Sequence, residues 1–129
     1  MTWKMSFDYD EEHDVVTASF QGCVLNGSLD VARWRAEVEG FLSRYPAKVD
    51  LLINMDGLVV KYTAGRLFGR ERSEVLARYS RRSIRYGGDE MTRVSVDTSG
   101  AAVSIYRSRD EALKALLADR AAAEASDRA

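Results

Sequence analysis

Residues 3–9 alternate strictly, with Trp3, Met5, Phe7 and Tyr9 in one phase and Lys4, Ser6 and Asp8 in the other. A period of two puts the first set on one face of a strand and the second on the opposite face. The polar run Asp10-Glu11-Glu12-His13-Asp14 follows, and Val16, Ala18 and Phe20 then resume the alternation within residues 15–20. Two alternating runs around a polar turn predict an N-terminal β-hairpin. Beyond a loop over residues 22–27 the period changes. Val31, Trp34, Val38, Phe41, Leu42 and Tyr45 recur at helical spacing, Ser28 stands at the expected N-cap, and Pro46 stops the segment.

Val49, Leu51, Leu52, Ile53 and Met55 form an apolar run with both phases filled, as in a central strand buried on both faces. A second helix is expected from Thr63 to about Tyr79, and short strands over residues 83–86 and 101–106. The last helix opens on a capping box, Ser108 with Glu111, and carries Ala112, Leu113, Leu116 and Leu117 on one stripe. Residues 89–98 fit a short helix, and Thr92, Val94 and Val96 also alternate like a strand; the helical reading is adopted. No repeat or linker interrupts this order, so residues 1–120 read as one domain, with 121–129 as a frayed tail.

Composition narrows the function classes. A chain of 129 residues, 46% hydrophobic, builds a core without disulfides, and its one cysteine, Cys23, excludes an internal disulfide or a cysteine-rich zinc site. No apolar run approaches the roughly 20 residues of a membrane span, and no signal-peptide pattern opens the chain, so a cytoplasmic protein is expected. Charge is nearly balanced, 19 basic against 20 acidic residues, but unevenly spread. Residues 61–85 hold Lys61 and seven arginines against only Glu71 and Glu74. These cations read chiefly as a solvated helix face, with Arg66, Arg70 and the 78/81/82 group sharing a flank that could meet an anion or acidic partner. Balanced overall charge and the lack of an aromatic platform beside the arginines argue against nucleic acid.

The order hairpin, helix, strand, helix, strand, undecided element, strand, helix resembles that of STAS domains, the anti-sigma-factor-antagonist and sulfate-transporter family. The likeness is sharpest at Leu51-Leu52-Ile53-Asn54-Met55-Asp56-Gly57-Leu58 and Val59-Val60-Lys61-Tyr62-Thr63-Ala64-Gly65, and again at Ser108-Arg109-Asp110-Glu111-Ala112-Leu113. It covers roughly residues 15–117 as pattern more than identity. The resemblance implies a STAS-like α/β fold, a mixed sheet with an N-terminal hairpin and helices packed mainly on one face. It also implies a non-catalytic regulatory or protein-interaction module. In that family the first hydroxyl of an Asp-Ser-Ser-Gly-like motif is phosphorylated to switch partner binding. Thr63 fills that slot and Gly65 the glycine, while Tyr62 stands in place of the aspartate and Ala64 in place of the second hydroxyl. Apart from the resemblance, Thr63 reads as a helix N-cap. A partner surface is expected around Leu58, Val59, Val60, Lys61, Tyr62, Gly65 and Arg66.

Other constellations carry less. Gly87-Gly88-Asp89-Glu90 resembles the diguanylate-cyclase turn, with Asp56 as a conceivable second magnesium ligand. Met91 replaces the usual phenylalanine, however, and the substrate-binding Asn-Asp segment is missing, so cyclase chemistry is not expected. His13 reads as a surface histidine, Cys23 as a small buried hydrophobe and Trp34 as core, leaving no catalytic residue, metal site or cofactor to assign. The loop Asn26-Gly27-Ser28 enters a helix N-terminus and is a candidate anion-binding loop. A protein partner is the expected ligand. The alternative from another class is a carrier or sensor of a small anionic or lipid-like molecule, which would need an enclosed apolar cavity.

Overall fold

A computed structural model of the chain describes residues 3–88 and 105–128. Strands β1 (Lys4–Asp10) and β2 (Val15–Gln21) form the expected hairpin, paired antiparallel from Lys4 opposite Gln21 to Asp10 opposite Val15. Asp14 closes its turn in the left-handed region, φ 53°, a conformation short polar side chains tolerate, and accepts a hydrogen bond from the Tyr9 hydroxyl at 2.8 Å. The chain continues through β3 (Val24–Leu25), α1 (Ser28–Leu42), β4 (Val49–Asn54), β5 (Val59–Val60), a single 3₁₀ turn (Tyr62–Ala64), α2 (Gly65–Tyr79) and β6 (Ser80–Tyr86). After the segment outside the described residues come β7 (Ile105–Tyr106) and α3 (Arg109–Arg128). The main sheet runs β1-β2-β4-β6-β7, with β2, β4, β6 and β7 mutually parallel; β3 and β5 pair as a separate parallel ribbon. Parallel neighbours need long crossovers, and α1 and α2 supply those from β2 to β4 and from β4 to β6.

The sheet separates two cores. Val16, Ala18, Phe20, Leu51 and Ile53 face α1 and α2, meeting Val31, Trp34, Val38, Phe68 and Val75. The opposite phase, Val15, Leu52, Ile84 and Tyr86, meets Ala112 and Leu116 of α3. Thus α1 and α2 cover one face, as expected, and the shorter apolar stripe of α3 covers part of the other. Strand β4 lies in the middle with both phases filled, as the apolar run required.

Several boundaries differ from the sequence reading for local reasons. Helix α1 ends at Leu42, three residues early, because the amides of Arg44 and Tyr45 turn back in short loops onto Phe41 and Leu42. Its N-cap is Gly27 rather than Ser28, without a side-chain bond. Strand β6 starts at Ser80, directly at the end of α2, and so absorbs Arg81 and Arg82, whose polarity hides the strand. Helix α3 opens on the expected Ser108 cap, whose Oγ accepts from the Glu111 amide at 3.2 Å, while the Glu111 carboxylate reaches one residue further back than in a capping box and accepts from the Arg107 amide at 3.3 Å. It then continues to Arg128 through the alanine-rich stretch expected to fray, a composition with high helix propensity. The helix expected over 89–98 and most of the strand expected over 101–106 lie outside the described residues.

One polar element sits where the apolar pattern of β4 begins. Asp50 is 2% exposed, and its carboxylate receives Arg120 of α3 (2.7 and 3.2 Å) and Arg82 of β6 (3.4 Å). Arg120 also donates to the carbonyls of His13 and Asp14, at 2.8 and 3.2 Å. A single guanidinium therefore ties α3 to the hairpin turn and to the central strand. Between α1 and α2 a second cluster joins Arg35 to Glu39, Glu71 and Glu74. Bonding to Arg35 holds the Glu39 and Glu74 carboxyls below the usual carboxylate range.

Removing one partner of a buried ion pair leaves the other charge poorly compensated. Arg120→Ala is expected to lower unfolding free energy by about 3 kcal/mol, the low end of that effect because Arg82 remains beside Asp50. Chemical denaturation measures it, and amide exchange should show the hairpin turn loosening with α3.

Candidate functional site

The carboxyl ends of β2, β4 and β6 point to one pole, where open α/β sheets gather their loops. There the ribbon of β3 and β5 joins the loop before α1 to the loop before α2. The Val59 amide donates to the Cys23 carbonyl and the Lys61 amide to the Leu25 carbonyl, each at 2.9 Å. Thr63 extends the series with its side chain: its hydroxyl donates to the Asn26 carbonyl at 2.5 Å. Gly57 makes the approach feasible. Its φ is +80°, and a Cβ there would lie 3.0 Å from the backbone of Gln21 and Gly22.

This arrangement corrects the capping role expected of Thr63. Helix α2 begins at Gly65, its N-cap is Ala64, and no side chain caps it. The 3₁₀ turn, closed by the Ala64 amide on the Lys61 carbonyl at 2.9 Å, leads into the helix and leaves the Thr63 hydroxyl directed at the neighbouring loop. Thr63 is exposed, as are Lys61 and Arg66.

The expected partner surface divides in two. Leu58 and Val60 are buried at 1% and 3% exposure and belong to the core, and Gly65 is buried at the helix start. Leu58 turns inward on a tight turn to Met55, and Val60 alternates inward where Val59 alternates outward. Val59, Lys61, Tyr62 and Arg66 remain outside. Tyr62 is 98% exposed, and Leu29, in the first turn of α1, is 86% exposed. Leu29 was missed because it is out of phase with the Val31, Trp34, Val38 stripe; an apolar residue off the stripe was the available signal.

In the Asn26-Gly27-Ser28 loop, the Asn26 amide already meets a carboxylate, Asp30 at 2.8 Å, and the Gly27 carbonyl accepts the Val31 amide. On the other side of the pole, Asp56 accepts from the Gly88 amide at 2.7 Å, and a Cβ on Gly87 would come within 2.9 Å of its carboxylate. Asp56 thereby braces the diglycine turn; Asp89 and Glu90 lie outside the described residues.

The remaining candidates are distributed elsewhere. Cys23 is fully buried, and burial pushes its thiol up to about 11. His13 follows β1 while Cys23 follows β2, so the seven-residue strand β2 keeps them apart. His13 is half-buried and bonded to Asp10 at 2.8 Å, an interaction that holds the Asp10 carboxyl below its usual range. Asp10, Glu12 and His13 place potential ligand atoms within 4.8 Å of one another, but the Arg109 guanidinium, 3.4 Å from Asp10, opposes a cation there. The arginine-rich stretch is only partly a solvated face: Arg72 and Arg85 are buried, and Arg82 serves Asp50. Both buried arginines line an apolar cavity with Phe7, Trp34 and Phe68, of about 30 Å³. That is room for about one water, against several hundred Å³ for a small-molecule pocket. No helix among the described residues is long and apolar enough to cross a membrane.

No protein-family model and no curated protein matches the chain. Solved structures do. An anti-sigma factor antagonist from Mycobacterium paratuberculosis superposes with a TM-score of 0.66 at 12% identity, covering 88% of this chain and 93% of that one. The anti-sigma factor antagonist SpoIIAA in its unphosphorylated form gives 0.60 at 15% identity, covering 91% and 97%. The Bacillus cell fate determinant SpoIIAA in the phosphorylated form gives 0.54 at 15% identity, covering 89% and 99%. The chain has the STAS fold, in a divergent sequence.

Two outcomes follow from the site geometry. Thr63→Val should cost about 1 kcal/mol and Thr63→Ser very little. Amide exchange in the first turn of α2 should not respond, as it would if the hydroxyl capped that helix. Cys23 in native protein at pH 8 should react with a thiol reagent at least about a hundredfold more slowly than in unfolded chain, since thiolate is the reactive form.

Proposed function

We infer that this STAS-fold chain is a non-catalytic regulatory module that binds a protein partner through the pole around Thr63. The observation that carries the reading is the exposure of Tyr62 and Leu29, at 98% and 86%, beside Val59. Exposed apolar side chains grouped at one place mark an interaction surface, whereas single scattered ones are ordinary, and these three stand on the loops and helix start that the β3–β5 ribbon joins. Lys61 and Arg66 add positive charge to its rim. The solved structures of similar fold are anti-sigma factor antagonists, one of them in a phosphorylated form, which supports a protein partner and a phosphate-controlled switch.

Thr63 is the residue proposed to take the phosphate. Esterification would remove the hydroxyl proton now donated to the Asn26 carbonyl, so the two loops would lose a link and gain repulsion. The added charge would be tolerated at the start of α2, near Lys61 and Arg66. The switch would then alter the relative positions of Leu29 and Tyr62, which the Thr63–Asn26 bond now joins. The small cavity between sheet and helices gives a carrier of lipid-like ligands no comparable support.

The test begins with protein tagged and recovered from its own host, whose co-purifying partner is then expressed and titrated. Tyr62→Ala should weaken that binding at least about tenfold, as a central aromatic contact does. Thr63→Glu should weaken it too, without an equal loss of stability, and Thr63→Ser should leave it intact. A partner whose affinity ignores all three changes would place the docking surface elsewhere.

A further inference from the structure

The outer edge of β1 offers a second surface, on different elements from the Thr63 pole. β1 is the terminal strand of the sheet, and among the described residues no strand pairs with its free edge. Its seven residues pair with β2 without a bulge, and it contains no proline. Long regular edges of this kind are templates for strand addition unless short length, bulges, proline or unpaired charges blunt them, so the charges of β1, Lys4, Asp8 and Asp10, decide which partner strand it accepts. Its two faces also differ. Lys4, Ser6 and Asp8 are exposed, whereas Trp3, Met5 and Phe7 are half-buried and Tyr9 is 49% exposed. On that second face Phe7 stacks on Phe41 of α1 at 4.3 Å and Tyr9 lies 6.2 Å from Tyr45, so an aromatic margin runs along the open edge.

We propose that β1 pairs antiparallel with β1 of a second copy, about a two-fold axis perpendicular to the sheet and centred on Phe7. The order of charges along the strand selects this occupant. In that register Lys4 of one copy faces Asp10 of the other, Ser6 faces Asp8, Met5 faces Tyr9, and Phe7 faces itself. Symmetry makes every pair but the central one occur twice, so an opposite-charge pair closes each end of the ladder. Centring the axis one residue later would set Asp8 against Asp8, two residues later would set Asp8 against Asp10, and two residues earlier would leave fewer residues of the strand paired. The perpendicular axis keeps equivalent faces together, so the aromatic margins of Phe7, Phe41 and Tyr45 meet on one side and the charged residues on the other. Asp10 already bonds His13 and Arg109, and Lys4 of the second copy adds a cation on its open side. The result is one continuous ten-stranded sheet from two five-stranded ones.

Ser6 tests the register, because it is exposed and nothing in the fold depends on its side chain. Sedimentation equilibrium of the full chain should show a monomer–dimer equilibrium, with amide exchange over residues 4–10 slowing as concentration rises. Ser6→Lys, which sets a cation against Asp8 twice, should tighten the dimer by about two- to thirty-fold, and Ser6→Asp should loosen it by a similar factor. Tyr62→Ala should leave dimerisation unchanged, which separates this surface from the pole proposed for the protein partner. The idea is overturned if wild type and Ser6→Lys both stay monomeric into the submillimolar range. It is equally overturned by a dimer whose dissociation constant ignores both Ser6 changes.

Discussion

A parallel strand with neighbours on both edges and a hydrophobic layer on each face has no solvent side, so both phases of its side chains must be apolar. β4 meets that requirement with Leu51 and Ile53 towards α1 and α2 and Leu52 towards α3. Its neighbours inherit complementary demands. β2 must also serve two layers and does so with Val15 on one side and Val16, Ala18 and Phe20 on the other. β1, one step further out, has a single half-buried face and a polar one. Apolar content falls off with distance from β4, and the edge of the sheet is where side chains become available for other work.

At the start of β4 the same burial acts on a charge. Asp50 cannot reach water, and the structure answers by bringing Arg82 and Arg120 to it from β6 and α3. The small apolar stripe of α3 makes this polar contact important for docking, because Ala112 and Leu116 bury modest area. By extending the same guanidinium to the carbonyls of His13 and Asp14, Arg120 connects the second core to the hairpin. The two poles of the molecule are therefore held differently. One is locked by buried charge, and the other is joined by short backbone ladders and one hydroxyl.

That difference bears on function. At the Thr63 pole, two residues of β3 and two of β5 carry the connection between the loops, and a single donor from Thr63 completes it. The hydroxyl of Thr63 is thus a single link between the loops that carry Leu29 and Tyr62, whereas the charge cluster at Asp50 joins β4, β6 and α3 at the other end of the sheet. The titratable candidates, His13 and Cys23, sit at opposite ends of β2, away from one another.

The elements whose signal is periodic were legible in the residues alone: the hairpin from its alternation, α1 from its stripe, α3 from its stripe and its Ser108 cap, and β4 from its filled phases. So was the fold they assemble into, through the resemblance of that order and of residues 51–65 to STAS domains. What the one-dimensional pattern lacked was partnership across distance. Two-residue ladders such as β3 and β5 have no period to detect, Arg81 and Arg82 disguise a strand, and the inward turn of Leu58 and Val60 depends on a core that sequence spacing does not display. The same holds for Asp50, an acidic residue inside an apolar run, which is explained by arginines 32 and 70 positions away, Arg82 and Arg120. Thr63 is the clearest case. Its place before α2 made a cap the natural local reading, and tertiary structure gave the hydroxyl to Asn26, whose carbonyl the ribbon of distant segments brings within 2.5 Å, while no side chain caps the helix. Local periodicity determined which segments form strands and helices; pairing between remote segments, set by burial on both sides of β4, decided which side chains those elements leave for function.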